Sequence, residues 1–147
     1  EIYSIEDCTY YNATQTHSAR TFNVNLPSTF ELSYILKQGA SNYSSPYLDI
    51  GDSTNNRMLV GQYARAGGNG LIVYKSSATT HAYSTNISTG VEHTIWFKYD
   101  GTKYYYKLDE GTVMEVADAS ITLTKLIHQE ASTTSNNYIR DIKIKQL

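Results

Sequence analysis

Disulfide bonds within the chain are excluded, because the sequence has one cysteine, Cys8, among its 147 residues. Without disulfide bonds the fold must be stabilised by a hydrophobic core, in which we expect Cys8 as a buried thiol. A chain of this length buries roughly two thirds of its unfolded surface in one core. We therefore predict a single domain spanning residues 1–147, and its start at Glu1 rather than at Met predicts a domain taken from a larger protein.

The chain also lacks an excess of positive charge and any long hydrophobic run. Its 12 Lys and Arg residues are outnumbered by 14 Asp and Glu residues, which gives a formal net charge of -2. This balance provides no overall positive field for a phosphate backbone, so we expect no nucleic-acid partner. No stretch reaches the roughly 18 consecutive apolar residues of a membrane-spanning helix, so we expect no insertion into a membrane.

Sequence motifs for catalysis and metal binding are absent as well. The four histidines lack the spacing of a zinc site, and no serine lies in a Gly-x-Ser-x-Gly motif. Asp49 and Asp52 are three residues apart and would face opposite sides of a strand, while Asp109 and Glu110 lie in a predicted turn, so structural turn roles explain all four. We predict that the protein is not an enzyme. A catalytic group assembled only by folding is the alternative that the sequence leaves open.

Short alternating or β-branched runs, by contrast, are abundant. Turn-forming segments such as "GASNYSS", "GDSTNN" and "YDGT" separate them, and Pro27 precedes one of them, where its missing N–H costs little. Ten short strands at this spacing predict an all-β sandwich or barrel. The predicted strands are "RTFNVNL", "TFELSYIL", "PYLDIGD", "RMLVGQY", "GLIVYKS", "HTIWFKYD", "KYYYKLD", "TVMEV", "ITLTKLI" and "YIRDIKIKQL". In the ninth of these, "ITLTKLI", some apolar residues also have the spacing of a helix face. We interpret this segment as mainly strand.

The segment 93–111, "HTIWFKYDGTKYYYKLDEG", predicts a hairpin with two dissimilar faces. On a period of two residues one face is apolar and aromatic, as expected of core. Its members are Ile95, Phe97, Tyr99, Tyr104, Tyr106 and Leu108. The other face carries Trp96, Lys98, Tyr105 and Lys107, a combination that is neither ordinary core nor ordinary solvent surface.

The register of this hairpin follows from its lysines. A two-residue Asp-Gly turn would place Lys98 opposite Lys103, which is unfavourable, whereas a four-residue turn "DGTK" pairs Lys98 with Tyr105 and Trp96 with Lys107. Aromatic rings flanked by cations suit sugar recognition, because a pyranose stacks its C–H groups on a ring while its hydroxyls take polar partners. The alternative is cross-strand Lys–aromatic pairing that only stabilises a solvated sheet, at about 0.5–1 kcal/mol per contact.

Two further segments carry specific expectations. The glycine-rich "ARAGGNG" lies between two predicted strands and lacks the Gly-Lys-Ser/Thr of a phosphate loop, so we interpret it as a hairpin loop. Such rim loops hold recognition residues, which makes Tyr63, Arg65 and Asn69 candidate ligand contacts. In the last strand three isoleucines cannot share one face without a bulge near Arg140 and Asp141, unless both faces are covered.

The order of these runs resembles the concanavalin A-like jelly rolls, which include the laminin-G and lectin/glucanase sandwiches. The sequence segments on which the resemblance rests are "TFELSYIL", "YLDIGD" with "GLIVYKS", the hairpin "HTIWFKYDGTKYYYKLDEG" and the terminal "YIRDIKIKQL". The single cysteine and the Tyr-, Asn- and Ser-rich composition are similar to those of carbohydrate-binding modules of siphophage tail proteins and bacterial surface proteins. The resemblance implies an all-β jelly-roll sandwich of two antiparallel sheets.

The function that we predict is non-catalytic binding of a cell-surface polysaccharide or oligosaccharide, by an extracellular or virion (phage tail) protein in a larger multi-domain or multi-copy assembly. The predicted carbohydrate contacts are Trp96, Tyr105, Lys98, Lys107, Tyr63, Arg65 and Asn69. The alternative is a structural or protein-interaction sandwich that binds no sugar. No motif implies a cofactor or a bound metal. The resemblance alone leaves open a structural calcium ion near the chain termini, at Glu6, Asp7 and Asp141.

Overall fold

The computed structural model describes residues 2–5, 8–11, 20–37, 47–52, 57–62, 71–75, 79–83, 88, 90–116, 123–130 and 138–147. These residues form thirteen β-strands and include no helix, and so none long and apolar enough to cross a membrane. In chain order the strands are β1 (Ile2–Ile5), β2 (Cys8–Tyr11), β3 (Arg20–Asn25), β4 (Phe30–Lys37), β5 (Tyr47–Gly51), β6 (Arg57–Gln62), β7 (Leu71–Lys75), β8 (Thr79–Tyr83), β9 (Glu92–Tyr99), β10 (Tyr104–Leu108), β11 (Met114–Val116), β12 (Lys125–Glu130) and β13 (Tyr138–Gln146).

The strands form two antiparallel sheets. The seven-stranded sheet has the order β1-β2-β13-β4-β9-β10-β11, and the six-stranded sheet has the order β3-β12-β5-β6-β7-β8. Several neighbours are far apart in the chain, since β13 lies between β2 and β4 and β12 lies between β3 and β5. These crossovers produce a two-sheet jelly-roll sandwich, and the predicted fold class is confirmed.

The alternation of side chains places the core between the sheets. Along β4 every second residue is fully or almost fully buried, from Phe30 to Leu36, and the residues between them are half-buried on the other face. Strands β9 and β10 supply their apolar faces, and β5, β6 and β12 supply the opposing layer. The Tyr34 hydroxyl crosses this core and donates to the carbonyl oxygen of Val60 at 2.7 Å. Burial raises the pKa of the Tyr34 phenol well above its usual value, so it remains a donor.

All ten predicted strands are present, although the ninth is displaced. Strand β12 begins at Lys125, after Leu123 and Thr124, and residues 121–122 lie outside the described part of the chain. Three further strands, β1, β2 and β8, were missed because "IYSI", "CTYY" and "TTHAY" are too short to show a clear period. Both sheets are therefore wider than the sequence pattern indicated, the seven-stranded sheet by β1 and β2 and the six-stranded sheet by β8.

The bulge predicted in the last strand is confirmed. The register of β13 against β4 shifts between Arg140 and Lys143, and Asp141 adopts a left-handed backbone with φ of 55°. This extra residue lets Ile139, Ile142 and Ile144 all face the core, where each is buried. The same shift keeps Arg140 and Lys143 on the outer face of the sheet.

Candidate functional site

The β9–β10 hairpin has the register that the lysine argument predicted. Tyr99 pairs with Tyr104, so the turn consists of the four residues 100–103. The Asp100 side chain holds this turn, because its Oδ1 accepts from the backbone N–H groups of Thr102 and Lys103, both at 2.8 Å. These hydrogen bonds, that from Lys103 first, lower the pKa of Asp100 below its ordinary range. Gly101 has φ of 98°, a left-handed conformation that glycine adopts without strain.

Four of the predicted contact residues lie together on the outer face of this hairpin. Lys107 pairs with Trp96, and Lys98 pairs with Tyr105. The Lys107 Nζ lies 5.7 Å from the centroid of the Trp96 ring, and the Lys98 Nζ lies 5.4 Å from that of the Tyr105 ring. All four side chains are half-buried. They form a surface of two aromatic rings and two ammonium groups, which we call the hairpin surface.

A hydrogen bond connects the hairpin surface to the turn. The Tyr105 hydroxyl donates to Asp100 Oδ2 at 3.2 Å, and partial burial together with this carboxylate raises the pKa of Tyr105. Beside it the Lys103 Nζ lies 2.5 Å from Glu115 Oε1, an exposed ion pair that joins the hairpin turn to β11. Tyr105 is therefore held at its hydroxyl end while its ring stays at the surface.

Neighbouring strands extend the hairpin surface with residues that the sequence reasoning missed. Ser33 of β4 pairs with Trp96, and Lys143 of β13 pairs with Ser33. In the adjacent row Glu31 lies between Lys98 and Lys145. No sequence signal could have predicted that these residues lie side by side. Their pairing depends on the β4–β9 and β4–β13 contacts, which link distant parts of the chain.

At one end of the same face a charged cluster fastens β13 to β9. Arg140 donates from Nε to Glu92 Oε1 at 2.9 Å and from Nη2 to Glu92 Oε2 at 2.6 Å, a two-point contact. The Tyr138 hydroxyl also donates to Glu92, and Arg140 Nη1 donates to Asp141 beside the bulge. The hydrogen bonds from Arg140 and then from Tyr138 lower the pKa of Glu92 to about 2.

Ser88, His93 and Asp109 form a hydrogen-bonded chain at the edge of the sheet. His93 Nδ1 lies 2.7 Å from Asp109 Oδ2, and His93 Nε2 lies 3.0 Å from Ser88 Oγ. The order resembles that of a hydrolase triad, the case that the sequence left open. However, Nε2 is also 3.3 Å from the Ser88 carbonyl oxygen, and Asp109 Oδ1 accepts from the Thr94 N–H at 2.8 Å. We interpret the chain as a clamp that fastens residue 88 and the β10–β11 turn to β9.

The predicted turn role of Asp49 is wrong, whereas the other three carboxylates do lie in turns or bends. Asp49 is within β5, between the core residues Leu48 and Ile50, so its side chain points to the outer face of the six-stranded sheet. It is nevertheless only 1% exposed. Strand β5 extends through this position because Leu48 and Ile50 both pack in the core, and the turn follows only at Asp52.

A shallow cavity opens at the rim of the sandwich next to the Asp100 turn. Its walls come from the β3–β4 connection, the hairpin turn and the residues before β12. The lining residues are Leu26, Pro27, Ser28, Thr29, Tyr99, Gly101, Leu123 and Thr124, which are mostly apolar and uncharged. This composition provides few fixed hydrogen-bond partners for a sugar, so the hairpin surface is the stronger candidate.

The structure does not test the remaining predicted site residues, because they fall outside the part of the chain that it describes. Tyr63, Arg65 and Asn69 lie outside the described residues, as do Glu6 and Asp7 of the calcium hypothesis. Within the described part of the chain, no group of three or more His, Cys, Asp and Glu residues could hold a metal ion. The third residue of that hypothesis, Asp141, accepts a hydrogen bond from Arg140.

Among known proteins, this chain is similar in fold to solved structures. No protein-family model and no curated protein matches the sequence. Among solved structures, the carbohydrate-binding module CBM66 from Bacillus subtilis matches 95% of this chain and 83% of its own, with a TM-score of 0.66 and 10% identity. The Caenorhabditis elegans galectin LEC-6 matches 98% of this chain and 99% of its own, with a TM-score of 0.65 and 6% identity.

An enzyme also contains a similar domain. A fructosyltransferase from A. japonicus matches 94% of this chain with a TM-score of 0.62 and 12% identity, but the match covers 25% of the enzyme's chain. The likeness is thus to one part of that enzyme, whereas the matches to the binding module and the galectin extend over most of both chains. From these matches and the two-sheet topology, the protein has the concanavalin A-like jelly-roll sandwich fold of carbohydrate-binding modules and galectins.

Proposed function

We propose that the protein binds carbohydrate without catalysing a reaction, and that the sugar lies on the hairpin surface against Trp96 and Tyr105. The observation that carries this proposal is the pairing of two half-buried rings with two lysines on the outer face of β9 and β10. An exposed ring offers a flat apolar platform, and the lysines and the Ser33 hydroxyl offer hydrogen bonds to sugar hydroxyls. The similarity to a carbohydrate-binding module supports the class of ligand.

The lysines above the rings do not block such a site. A cation–π contact at an exposed position contributes about 0.5–1 kcal/mol, and a lysine side chain has four rotatable bonds. Lys107 can therefore swing from the Trp96 ring to a sugar oxygen at little cost. In this proposal the Lys–aromatic pairs are the ligand-free form of the site. They hold the two rings in a fixed orientation before the sugar binds.

The predicted rim-loop contacts form the second part of the proposal. Tyr63, Arg65 and Asn69 would set the linkage specificity, as loops at the rim of a sandwich commonly do. We further propose that the protein acts outside the cell or on a virion such as a phage tail, in a larger assembly. Several copies in one assembly would raise the avidity for a polysaccharide without adding any contact within one site.

A protein-interaction role is the second candidate, and exposed apolar side chains favour it. Val91 and Val113 are 52% and 48% exposed near the starts of β9 and β11. Exposed apolar side chains also occur at protein interfaces. This candidate predicts that no glycan binds and that variants at Val91 or Val113 reduce capture of a protein partner.

The experiment that tests the proposal is a glycan array, combined with a pull-down on whole cell walls, using the fluorescently labelled protein. The variants are Trp96→Ala and Tyr105→Ala, and the control is Lys125→Ala, an exposed residue of the six-stranded sheet. Thermal melting curves confirm that each variant is folded. We expect glycan binding by the wild type and the control, and loss of binding in both hairpin variants.

Two results would contradict the proposal in different ways. If both hairpin variants bind glycans as well as the wild type does, the site is elsewhere, and variants of Tyr63 and Arg65 become the next test. If the wild type binds no glycan, the carbohydrate function itself is wrong and the protein-interaction candidate replaces it.

A further inference from the structure

An aliphatic side chain interrupts the polar outer face of β4. Every second residue of this strand packs in the core, and the residues between them are half-buried on the outer face of the seven-stranded sheet. These outward residues are Glu31, Ser33, Ile35 and Lys37. Three of the four are polar or charged, as expected of a face turned to solvent, and Ile35 is the exception. The position of Ile35 therefore calls for a contact on this face.

Ile35 is a diagonal neighbour of Trp96. Ser33 pairs with Trp96 and Ile35 pairs with Thr94, so Ile35 and Trp96 lie on the same face of adjacent strands, one row apart. The Cα atoms of such diagonal neighbours are roughly 7–8 Å apart, within the reach of an aromatic and a long aliphatic side chain. Thr94 is exposed and adds a methyl group in the row of Ile35. The apolar surface beside the Trp96 ring is therefore extended on the side of β4.

The two sides of Trp96 across the sheet differ in chemistry. On the side of β10, Lys107 pairs with Trp96 and its Nζ lies 5.7 Å from the centroid of the ring. On the side of β4 lie the hydroxyl group of Ser33 and the aliphatic side chain of Ile35. A sugar ring stacked on Trp96 would thus meet an ammonium group at one edge, and a hydroxyl next to an apolar group at the other. This asymmetry favours a sugar that itself has one apolar substituent.

The cations of β13 that flank Ile35 already have partners within the protein. Arg140 pairs in register with Ile35, and it donates from Nε and Nη2 to Glu92 and from Nη1 to Asp141. Lys143, in the neighbouring row, also has an interaction of its own. A charged substituent at Ile35 would have to compete with these contacts, whereas a neutral substituent would leave them intact. The substituent that suits this position is therefore neutral as well as apolar.

We infer that the sugar stacked on Trp96 carries an acetamido group, whose methyl contacts Ile35 and whose carbonyl oxygen accepts a hydrogen bond from the Ser33 hydroxyl. This inference rests on the proposed carbohydrate function and specifies its class of sugar, an N-acetylated hexosamine. The acetamido group is neutral and combines a methyl with an acceptor, which are the groups that Ile35 and Ser33 can bind. A 6-deoxy sugar also has a methyl but lacks the carbonyl acceptor. A plain hexose would place a hydroxyl against Ile35, where that hydroxyl loses hydrogen bonds to water.

The test compares sugars that differ only in this substituent. The glycan array is scored in pairs that have a hydroxyl or an acetamido group at the same carbon. Saturation-transfer NMR then uses the methyl glycosides of N-acetylglucosamine, N-acetylgalactosamine and their parent hexoses, with methyl fucoside as the 6-deoxy probe. The matched variants are Ile35→Val and Ile35→Thr, which are both β-branched, favour strands and differ by one hydroxyl. Ser33→Ala and Trp96→Ala complete the set, and melting curves show that each variant is folded.

We expect the acetamido member of each bound pair to bind at least about tenfold more tightly, because a buried methyl and a neutral hydrogen bond each contribute about fourfold. The acetyl methyl protons should receive the strongest saturation. Ile35→Val should keep this preference, whereas Ile35→Thr and Ser33→Ala should each reduce it by about fourfold. The affinity for the parent hexose should change little in these variants. Trp96→Ala should lose the binding of both members of a pair.

Four outcomes would overturn the inference. Equal binding of the two members of each pair would leave the carbohydrate function standing but exclude the acetamido group. Stronger binding of methyl fucoside than of either N-acetylated sugar would assign the apolar contact to a 6-deoxy methyl. The same preference in Ile35→Thr and Ile35→Val would show that residue 35 does not contact the substituent. If no glycan and no methyl glycoside binds, the carbohydrate function is wrong as well.

Discussion

The two faces of the β9–β10 hairpin are built from alternate residues of the same two strands, yet they have opposite properties. On the inner face Phe97 and Tyr104 stack with ring centroids 6.1 Å apart, and both are almost completely buried. On the outer face Trp96 and Tyr105 contact lysines and are half-buried. The period of two thus separates the residues that stabilise the fold from those available for binding, so each group can be tested without the other.

The largest predicted effect comes from opening a cavity on the inner face. Phe97→Ala should lower the free energy of unfolding by about 3–5 kcal/mol, because Phe97 is fully buried between Phe30 and Tyr104. Trp96→Ala, one residue away on the outer face, should cost only about 1 kcal/mol, because it removes a half-buried ring and its cation–π contact with Lys107. Urea unfolding of both variants measures the difference. Similar losses in the two variants would show that the faces are not distinct.

A smaller effect is expected from a single polar contact inside the core. Tyr34→Phe removes the hydroxyl that donates to the Val60 carbonyl oxygen across the two sheets. Leaving a buried carbonyl without this donor should lower the free energy of unfolding by about 1–3 kcal/mol, with no change in glycan binding. A variant as stable as the wild type would indicate that the bond contributes nothing to joining the sheets.

The contribution of the outer face to the free energy of unfolding should depend more on pH than that of the inner face. Since the pKa of Glu92 is lowered from 4.5 to about 2, its ion pair with Arg140 stabilises the protein above pH 4.5 and this contribution is lost as the pH falls towards 2. Glu92 is partly exposed, so Glu92→Gln should cost only about 1 kcal/mol at pH 7. Urea unfolding at several pH values should show the variant and wild type converging near pH 2. A constant difference down to pH 2 would contradict the assigned role of Glu92.

The smallest effect is expected at Ser88. If the Ser88–His93–Asp109 chain is a clamp, Ser88→Ala should reduce the free energy of unfolding by at most about 1 kcal/mol, the value of one exposed hydrogen bond. A fluorophosphonate probe should not label the wild type, because no nucleophilic serine is formed. Labelling that disappears in Ser88→Ala would contradict both the clamp interpretation and the non-catalytic function.

Local features were predictable from the sequence where neighbouring residues determine them. The four-residue turn followed from the repulsion between Lys98 and Lys103, and the β13 bulge followed from three isoleucines that do not share a period. The composition of the hairpin surface was predicted for the same reason, because β9 and β10 are adjacent in the chain. The distinction between the two faces needed only the alternation of residues.

Features that depend on distant strands were not predictable. Ser33 and Lys143 lie in one row with Trp96 only because β4 lies between β9 and β13, and nothing in the local sequence indicates that strand order. Asp49 looked like a turn residue, since carboxylates and glycine cluster in "LDIGD", but the burial of Leu48 and Ile50 extends the strand through it. The packing of the core, rather than local turn propensity, determined the outcome at this position.

Intrinsic fluorescence gives the most direct test of the central claim, because Trp96 is the only tryptophan in the chain. The measurement is its emission during titration with the glycan that binds best in the array, with and without acrylamide as a quencher. If the sugar stacks on Trp96, the emission changes saturably with the same Kd that calorimetry gives, and acrylamide quenching decreases. Binding detected by calorimetry with unchanged emission and unchanged quenching would show that the carbohydrate site is not on the hairpin surface.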